Sequence, residues 1–138
     1  MQLNAAWPNT NKPLNNPMKS CLLVDDSRVV RKVARHIFES LGFECQEAED
    51  GEKAFEACKA GLPDLIILDW NMPVMSGIEV LEKIRRLENG KHPKILLCTT
   101  ENDTRHLQRA LKAGVDEYII KPFDGDIVRG KLMQIGII

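Results

Sequence analysis

The chain has 138 residues, 43% of them hydrophobic, and its 19 basic and 20 acidic side chains leave a formal net charge of −1. This length bounds one compact domain that can bury a real core. The charge balance supplies no attraction toward nucleic acid or an anionic membrane, so direct DNA binding and a membrane partner are both excluded as expectations.

Residues 1–17, MQLNAAWPNTNKPLNNP, are rich in Asn and Pro and show no periodicity, so a disordered extension is expected there and a folded domain over residues 18–138. From Met18 onward, short β-type apolar runs alternate five times with segments of helical period, the pattern of βα units building a parallel sheet. The first strand is expected at Cys21 to Val24, and the helix after it at Ser27 to Leu41, with Val30, Val33, Ala34, Ile37 and Leu41 on one stripe and Gly42 at its end. A strand at Glu44 to Ala48 and a helix at Glu52 to Lys59 follow, the helix stopping at Gly61 and Pro63. Next come the strand Leu65 to Leu68 and the helix Ile78 to Leu87, then the strand Ile95 to Cys98 and the helix Thr104 to Ala113. The strand Tyr118 to Ile120 and a helix from Asp126 to Gln134, weakened by Gly130, complete the series and leave no room for an output domain. Three of the strands are almost uninterruptedly apolar, as befits strands covered by helices on both faces.

The four cysteines, Cys21, Cys45, Cys58 and Cys98, form no CxxC pair, so they read as reduced, buried thiols and not as a zinc site or a disulfide framework. No apolar run approaches the roughly 18 residues that span a bilayer, and the N-terminus lacks the order of a signal peptide, so a cytoplasmic location is expected.

In a parallel α/β sheet, side chains just beyond the carboxyl ends of the strands converge on one crevice. Here that rule gathers Asp25 and Asp26 after the first strand, Asp69 after the third, Thr99 and Thr100 after the fourth, and Lys121 after the fifth. Two unit charges about 5 Å apart repel by roughly 3 kcal/mol at an effective dielectric of about 20, so three crowded carboxylates call for a hard divalent cation and a lysine. Magnesium suits a few carboxylates, a carbonyl and waters beside phosphate oxygens, with manganese as a substitute ion. Asp69, between the metal side and the ammonium and hydroxyl side, is the natural nucleophile toward phosphorus. The adjacent acids also fit a purely structural role, in which Asp26 or Ser27 is the N-cap of the following helix.

The segments LLVDDS, LIILDWNMPVMSG, ILLCTT and YIIKPF, in this order, resemble the receiver domains of bacterial response regulators, and most of all the stand-alone CheY-like regulators. The resemblance implies a flavodoxin-like (βα)5 fold with strand order 2-1-3-4-5, for which CheY is itself a standard example. It also implies that Asp69 is the phosphoacceptor, and that Asp25, Asp26, Asp69 and the backbone carbonyl of Asn71 hold magnesium. Thr99 and Lys121 would contact the phosphoryl oxygens. Pro122 would follow Lys121 through a cis bond, and Tyr118 would be a switch aromatic that turns inward with Thr99. Gly77 is expected to serve a turn or a close backbone approach. Thr100 stands where a smaller residue is usual, and Ser76 replaces a frequent Asp. Asn71, Glu101 and Thr100 are expected to modulate the lifetime of the phosphorylated state.

By the same resemblance, the donor is a sensor histidine kinase or a histidine phosphotransfer protein, with Arg28, Val29 and Lys32 as candidate contacts. A downstream protein target would bind the face of the fourth helix, fifth strand and fifth helix, where Arg105, Arg109 and Lys112 form a basic stripe. The function expected is a single-domain response regulator that is not an enzyme with a substrate of its own but assists its own phosphorylation and dephosphorylation, with chemotaxis or another signalling output. A phosphate sink or relay intermediate and a phosphorylation-independent pseudo-receiver are the alternatives. A phosphatase of the haloacid-dehalogenase type fits less well, because Asn71 stands where that family places a second acid.

Overall fold

A computed structural model describes residues 18–100 and 107–138. The expected extension over residues 1–17 and the expected helical turn at residues 104–106 lie outside the described residues. The elements run β1 (Lys19–Val24), α1 (Arg28–Ser40), β2 (Phe43–Ala48), α2 (Gly51–Ala60), β3 (Leu65–Asp69), α3 (Gly77–Arg85), β4 (Lys94–Thr100), α4 (Leu107–Ala113), β5 (Glu117–Lys121) and α5 (Gly125–Gln134). All strand pairs are parallel and the order is β2-β1-β3-β4-β5, so the expected architecture is the observed one.

Period-2 alternation splits each strand between two cores. Leu22, Val24, Ile66, Leu68, Ile95 and Leu97 face one side, where Ala54, Cys58, Ile78, Leu81, Ile84 and Ala110 of α2, α3 and α4 cover them. Cys21, Leu23, Leu65, Ile67, Leu96, Cys98 and Ile119 face the other, under Ala34 and Phe38 of α1 and Val128 and Leu132 of α5. With both faces covered, β3 has no exposed residue, which is why its sequence is a continuous apolar run. The four cysteines are free and buried, as expected.

Most helix boundaries agree with the sequence to within a residue or two, and the exceptions have local causes. In α1 the inward residues are Ala34 and Phe38, whereas Val33, placed on the apolar stripe by spacing, is 53% exposed. Phe38 packs edge-on against Phe43 of β2 with centroids 5.9 Å apart, and the i, i+4 face it shares with Ala34 turns Val33, five residues before it, away from the core. The cap of α1 is Leu41, and Gly42 stands one place further at φ 94°, a left-handed position that glycine takes without the Cβ clash other residues meet there. Helix α5 begins before Asp126, because the Asp124 carboxylate accepts a hydrogen bond from the Ile127 N–H at 2.9 Å and caps it.

Arg85, at the end of α3, donates to the carbonyls of Gly90, Pro93 and Gly114 and pairs with Asp116 at 3.0 Å. It satisfies loop carbonyls that burial would otherwise leave without partners, and so fixes the loop leading into β5 against α3. Asp116 in turn accepts from the Ile95 N–H at 2.8 Å. Gly130 sits inside α5 with open space where a Cβ would project. Replacing it with Ala should raise unfolding stability by about 0.5–1 kcal/mol through helix propensity alone, read as a higher urea midpoint with an unchanged m-value.

Candidate functional site

The carboxyl ends of β1, β3, β4 and β5 deliver the candidate residues to one place. Asp25 and Asp69 are buried, Asp26 is exposed, and one carboxylate oxygen from each lies within 4.8 Å of the other two. Lys121, from the end of β5, reaches Asp25 at 2.7 Å and Asp69 at 3.0 Å and bridges them.

Each side chain is held by local structure. The Asp25 carboxylate accepts from the Ser27 N–H at 2.8 Å, and its backbone carbonyl accepts from the Arg31 guanidinium at 2.7 Å. Arg31 also pairs with Glu47 of β2 at 2.9 Å, so the acid that begins the site is braced by two neighbouring elements. Sequence reading missed Arg31, because its partner Glu47 becomes a neighbour only through the pairing of β1 with β2. Ser27 is the N-cap of α1, accepting from the Val30 N–H at 3.2 Å. The capping role open to Asp26 is thus taken by its neighbour, and Asp26 remains available to a ligand.

Beyond β3 the Trp70 N–H donates to the Cys98 carbonyl at 2.8 Å, which fixes the chain leaving Asp69. Gly77 passes over this point so closely that a Cβ would fall 2.4 Å from the Asp69 carbonyl oxygen. Of the two roles expected of it, a turn or a close backbone approach, this is the second. Ser76 forms a capping box with Glu79, so its departure from the usual residue serves the start of α3. Within the same loop Val74 is 96% exposed at φ 71°, a left-handed conformation that costs a β-branched side chain strain.

The electrostatics follow from burial and crowding. Burial is the largest influence on Asp69 and raises its pKa; the Lys121 charge works against it and Asp25 adds to it, leaving the carboxyl above its ordinary value. For Lys121, burial works downward, and the hydrogen bond to Asp25 and the charge of Asp69 outweigh it, so the ammonium is held above its usual range. Among the described residues a single ammonium against three carboxylates leaves the cluster with negative charge to spare, and its hard oxygen donors are the kind magnesium prefers. The residues present therefore fit a magnesium ion, with Asp25, Asp26 and Asp69 as the holding carboxylates.

Thr99 is buried at the end of β4, one residue beyond the partner of Asp69 in the ladder, with its hydroxyl 3.4 Å from the Thr100 carbonyl. Thr100 is exposed and lines a groove with Val29, Val30, Val33, Lys121, Pro122 and Phe123. The Lys121–Pro122 bond is cis. Asn71 is exposed, and its backbone N–H hydrogen-bonds the Asp69 side chain and favours the charged form. Arg28, Val29 and Lys32 are exposed on α1, and Tyr118 is half-buried on β5. Arg109 and Lys112 are exposed on α4, with Arg109 3.7 Å from Glu82 of α3. Glu101 and Arg105 lie outside the described residues.

A five-stranded doubly wound sheet with an acidic cluster and a lysine at its carboxyl edge has the form of a receiver domain, and residues 21–132 match the response regulator receiver domain family. The chain belongs to that family and is a CheY-like receiver domain of two-component signalling. It is 41% identical over 123 residues to the chemotaxis protein CheY-3 of Vibrio cholerae serotype O1, covering 88% of this chain and 94% of the relative. Among solved structures, the chemotaxis response regulator CheY4 of Vibrio cholerae superposes with a TM-score of 0.81 at 32% identity, over 86% of this chain and 99% of that one. The receiver domain of the sensor histidine kinase PA1611 from Pseudomonas aeruginosa, solved with a magnesium ion coordinated in its active site cleft, superposes at 0.78 with 29% identity, over 87% and 99%.

An Asp whose folded pKa is raised penalises folding where it is charged. The penalty is absent below the ordinary carboxylate pKa of about 3.9 and grows as pH rises through the folded value. In metal-free buffer at neutral pH, Asp69→Asn should therefore melt above the wild type, and the gap should close as pH falls toward about 4. Magnesium at about ten times its Kd should stabilise the wild type by about 1.4 kcal/mol and the variant by much less, as thermal melts with and without the ion will read.

Proposed function

We propose that this chain is a phosphorylation-operated switch in which Asp69 accepts a phosphoryl group from a phosphohistidine donor in a magnesium-dependent reaction. The observation that carries the reading is the bridging of Asp25 and Asp69 by Lys121, 2.7 Å and 3.0 Å away, with Asp26 and Thr99 at the same edge of the sheet. Asp69 is buried, and an ammonium and the Asn71 N–H on its carboxylate favour the anion against the upward pull of burial. An anion stripped of water and aimed by two donors is a competent nucleophile toward phosphorus.

Asp25, Asp26 and Asp69, with the backbone carbonyl of Asn71, would hold magnesium, and manganese would substitute for it. When bound, the ion supplies positive charge to the equatorial oxygens of the transferring phosphoryl group. Lys121 neutralises the same oxygens from the other side, and on transfer its contact with Asp69 is exchanged for one with the phosphoryl group. The Thr99 hydroxyl donates to a phosphoryl oxygen, and the Tyr118 ring moves with it. Asn71 and Thr100 border the path of the attacking water and, with Glu101 assigned the same part by resemblance alone, set how long the acyl phosphate lasts. The protein thus assists its own phosphorylation and hydrolysis without a separate substrate.

A sensor kinase or histidine phosphotransfer protein is the proposed donor. The exposed Val29 and Val33 beside Pro122 and Phe123 offer an apolar seat next to Lys121, and Arg28 and Lys32 stand on the same helix. The output is proposed to be protein binding at the face of α4, β5 and α5, in chemotaxis or a related pathway, a reading supported by the chemotaxis names of the relatives. The haloacid-dehalogenase reading lacks its second acid, since Asn71 occupies that position.

Incubation with acetyl phosphate and magnesium should add about 80 Da to the intact mass, the increment of one phosphoryl group. The gain should vanish without magnesium and in Asp69→Asn; a folded, magnesium-binding wild type that gains nothing would favour the pseudo-receiver reading. Lys121→Ala should still gain the mass yet fail to change its affinity for a target upon phosphorylation, and a variant that signals normally would remove Lys121 from the switch.

A further inference from the structure

The fifth strand is an edge of the sheet, and its side chains alternate between the two cores. Ile119 belongs to the core under α1 and α5, so Tyr118 leaves the sheet on the opposite side, toward α4. Even so, a side chain from α5 reaches it. The Lys131 Nζ lies 4.6 Å from the centroid of the Tyr118 ring, having passed around the free edge of β5.

Glu117 fixes this arrangement. One of its oxygens lies 3.7 Å from the Lys131 ammonium and accepts from the Tyr118 N–H at 3.0 Å. The other accepts from the Gln134 side chain at 2.6 Å. Lys131 and Gln134, three residues apart, share one face of α5, so a single carboxylate ties that face to the start of β5 and sets the lysine against the ring. The Lys131 and Glu117 side chains are only 24% and 17% exposed, so water screens the contact less than it would on an open surface.

We infer that Lys131 is a positioning residue for Tyr118: its ammonium, held by Glu117, lies on the ring and poises the switch in its resting arrangement. The inference rests on the reading of Tyr118 as the switch aromatic. To turn inward the ring must leave the cation, so phosphorylation has to outweigh this contact, and the resting population of the inward ring is set by it. A partly shielded cation–π contact of this kind shifts a two-state ratio by about five-fold. The output surface and the switch are thus coupled through one side chain: a target that engages Lys131 on α5 removes it from the ring and favours the inward state, and by linkage the inward state frees Lys131 for the target.

The test uses the full chain labelled with 13C and 15N in tyrosine, of which the sequence holds one. Three-bond couplings from the backbone nitrogen and carbonyl carbon to Cγ report the χ1 populations of Tyr118 and do not depend on nearby charge. They are measured without metal, and again with magnesium and beryllofluoride as the phosphoryl mimic. Lys131→Met keeps the hydrocarbon stem and loses the charge, whereas Lys131→Arg keeps the charge. The expected result is that Lys131→Met, in the resting protein, shifts the ratio about five-fold toward the arrangement the wild type takes with beryllofluoride, while Lys131→Arg stays with the wild type. Glu117→Gln should move in the same direction as Lys131→Met, by less. Wild-type couplings that respond to beryllofluoride together with unchanged resting couplings in Lys131→Met would overturn the role of Lys131 alone. Wild-type couplings that do not respond at all would overturn the switch reading of Tyr118, and this inference with it.

Discussion

Three carboxylates crowded at one edge of a parallel sheet, with Lys121 drawn between two of them, form the constraint that the rest of the structure serves. Mutual repulsion and burial would drive these groups apart or neutralise them, and a fold that keeps them together must hold each by rigid means. The means are visible where β1 and β3 end. Arg31 and the Ser27 N–H brace Asp25, the Trp70 N–H ties the chain after Asp69 to β4, and Gly77 lets the β3–α3 loop lie against the Asp69 carbonyl. The negative charge left over at such a site is a standing preference for a divalent cation.

Rigidity around the cluster contrasts with the arrangement of β5. The inner strands β1, β3 and β4 are flanked on both sides, whereas β5 is an edge whose residues are mostly half-buried. Arg85 anchors the loop before it to α3, and Glu117 ties its start to α5, while its far end carries Lys121 into the site. The same strand therefore carries the cation that senses Asp69 and the aromatic proposed to report it. A change at Lys121 has only three residues to travel before it reaches Tyr118. Coupling over so short a path needs no long chain of contacts, only a side chain with two resting places.

The apolar groove of Val29, Val33, Pro122 and Phe123 stands beside this machinery on the α1 side, and the basic residues of α4 stand on the other. Separate surfaces for a donor and for a target suit a domain whose chemistry takes place in a crevice between them. Strain at Val74, fully exposed in the β3–α3 loop, is one more departure from the most stable sequence near the site.

The sequence by itself determined the five βα units and the strand-end positions of Asp25, Asp26, Asp69, Thr99 and Lys121, whereas for Gly77 it left a turn and a close approach both open. The units and the strand ends are legible because buried parallel strands must be apolar on both faces, and because the chain direction alone places their carboxyl ends together. Resemblance, and not periodicity, suggested the order 2-1-3-4-5. Tertiary structure decided what depends on neighbours distant in the chain. Helix α1 turned Ala34 and Phe38 inward, and not Val33, with Phe43 of β2 there to receive Phe38, Arg31 joined the site because β2 lies beside β1, and Lys131 came to rest on Tyr118 because β5 is an edge that α5 can reach around. None of these pairs has a characteristic spacing, since the distance between partners is set by the packing of elements and not by the repeat of a helix or strand.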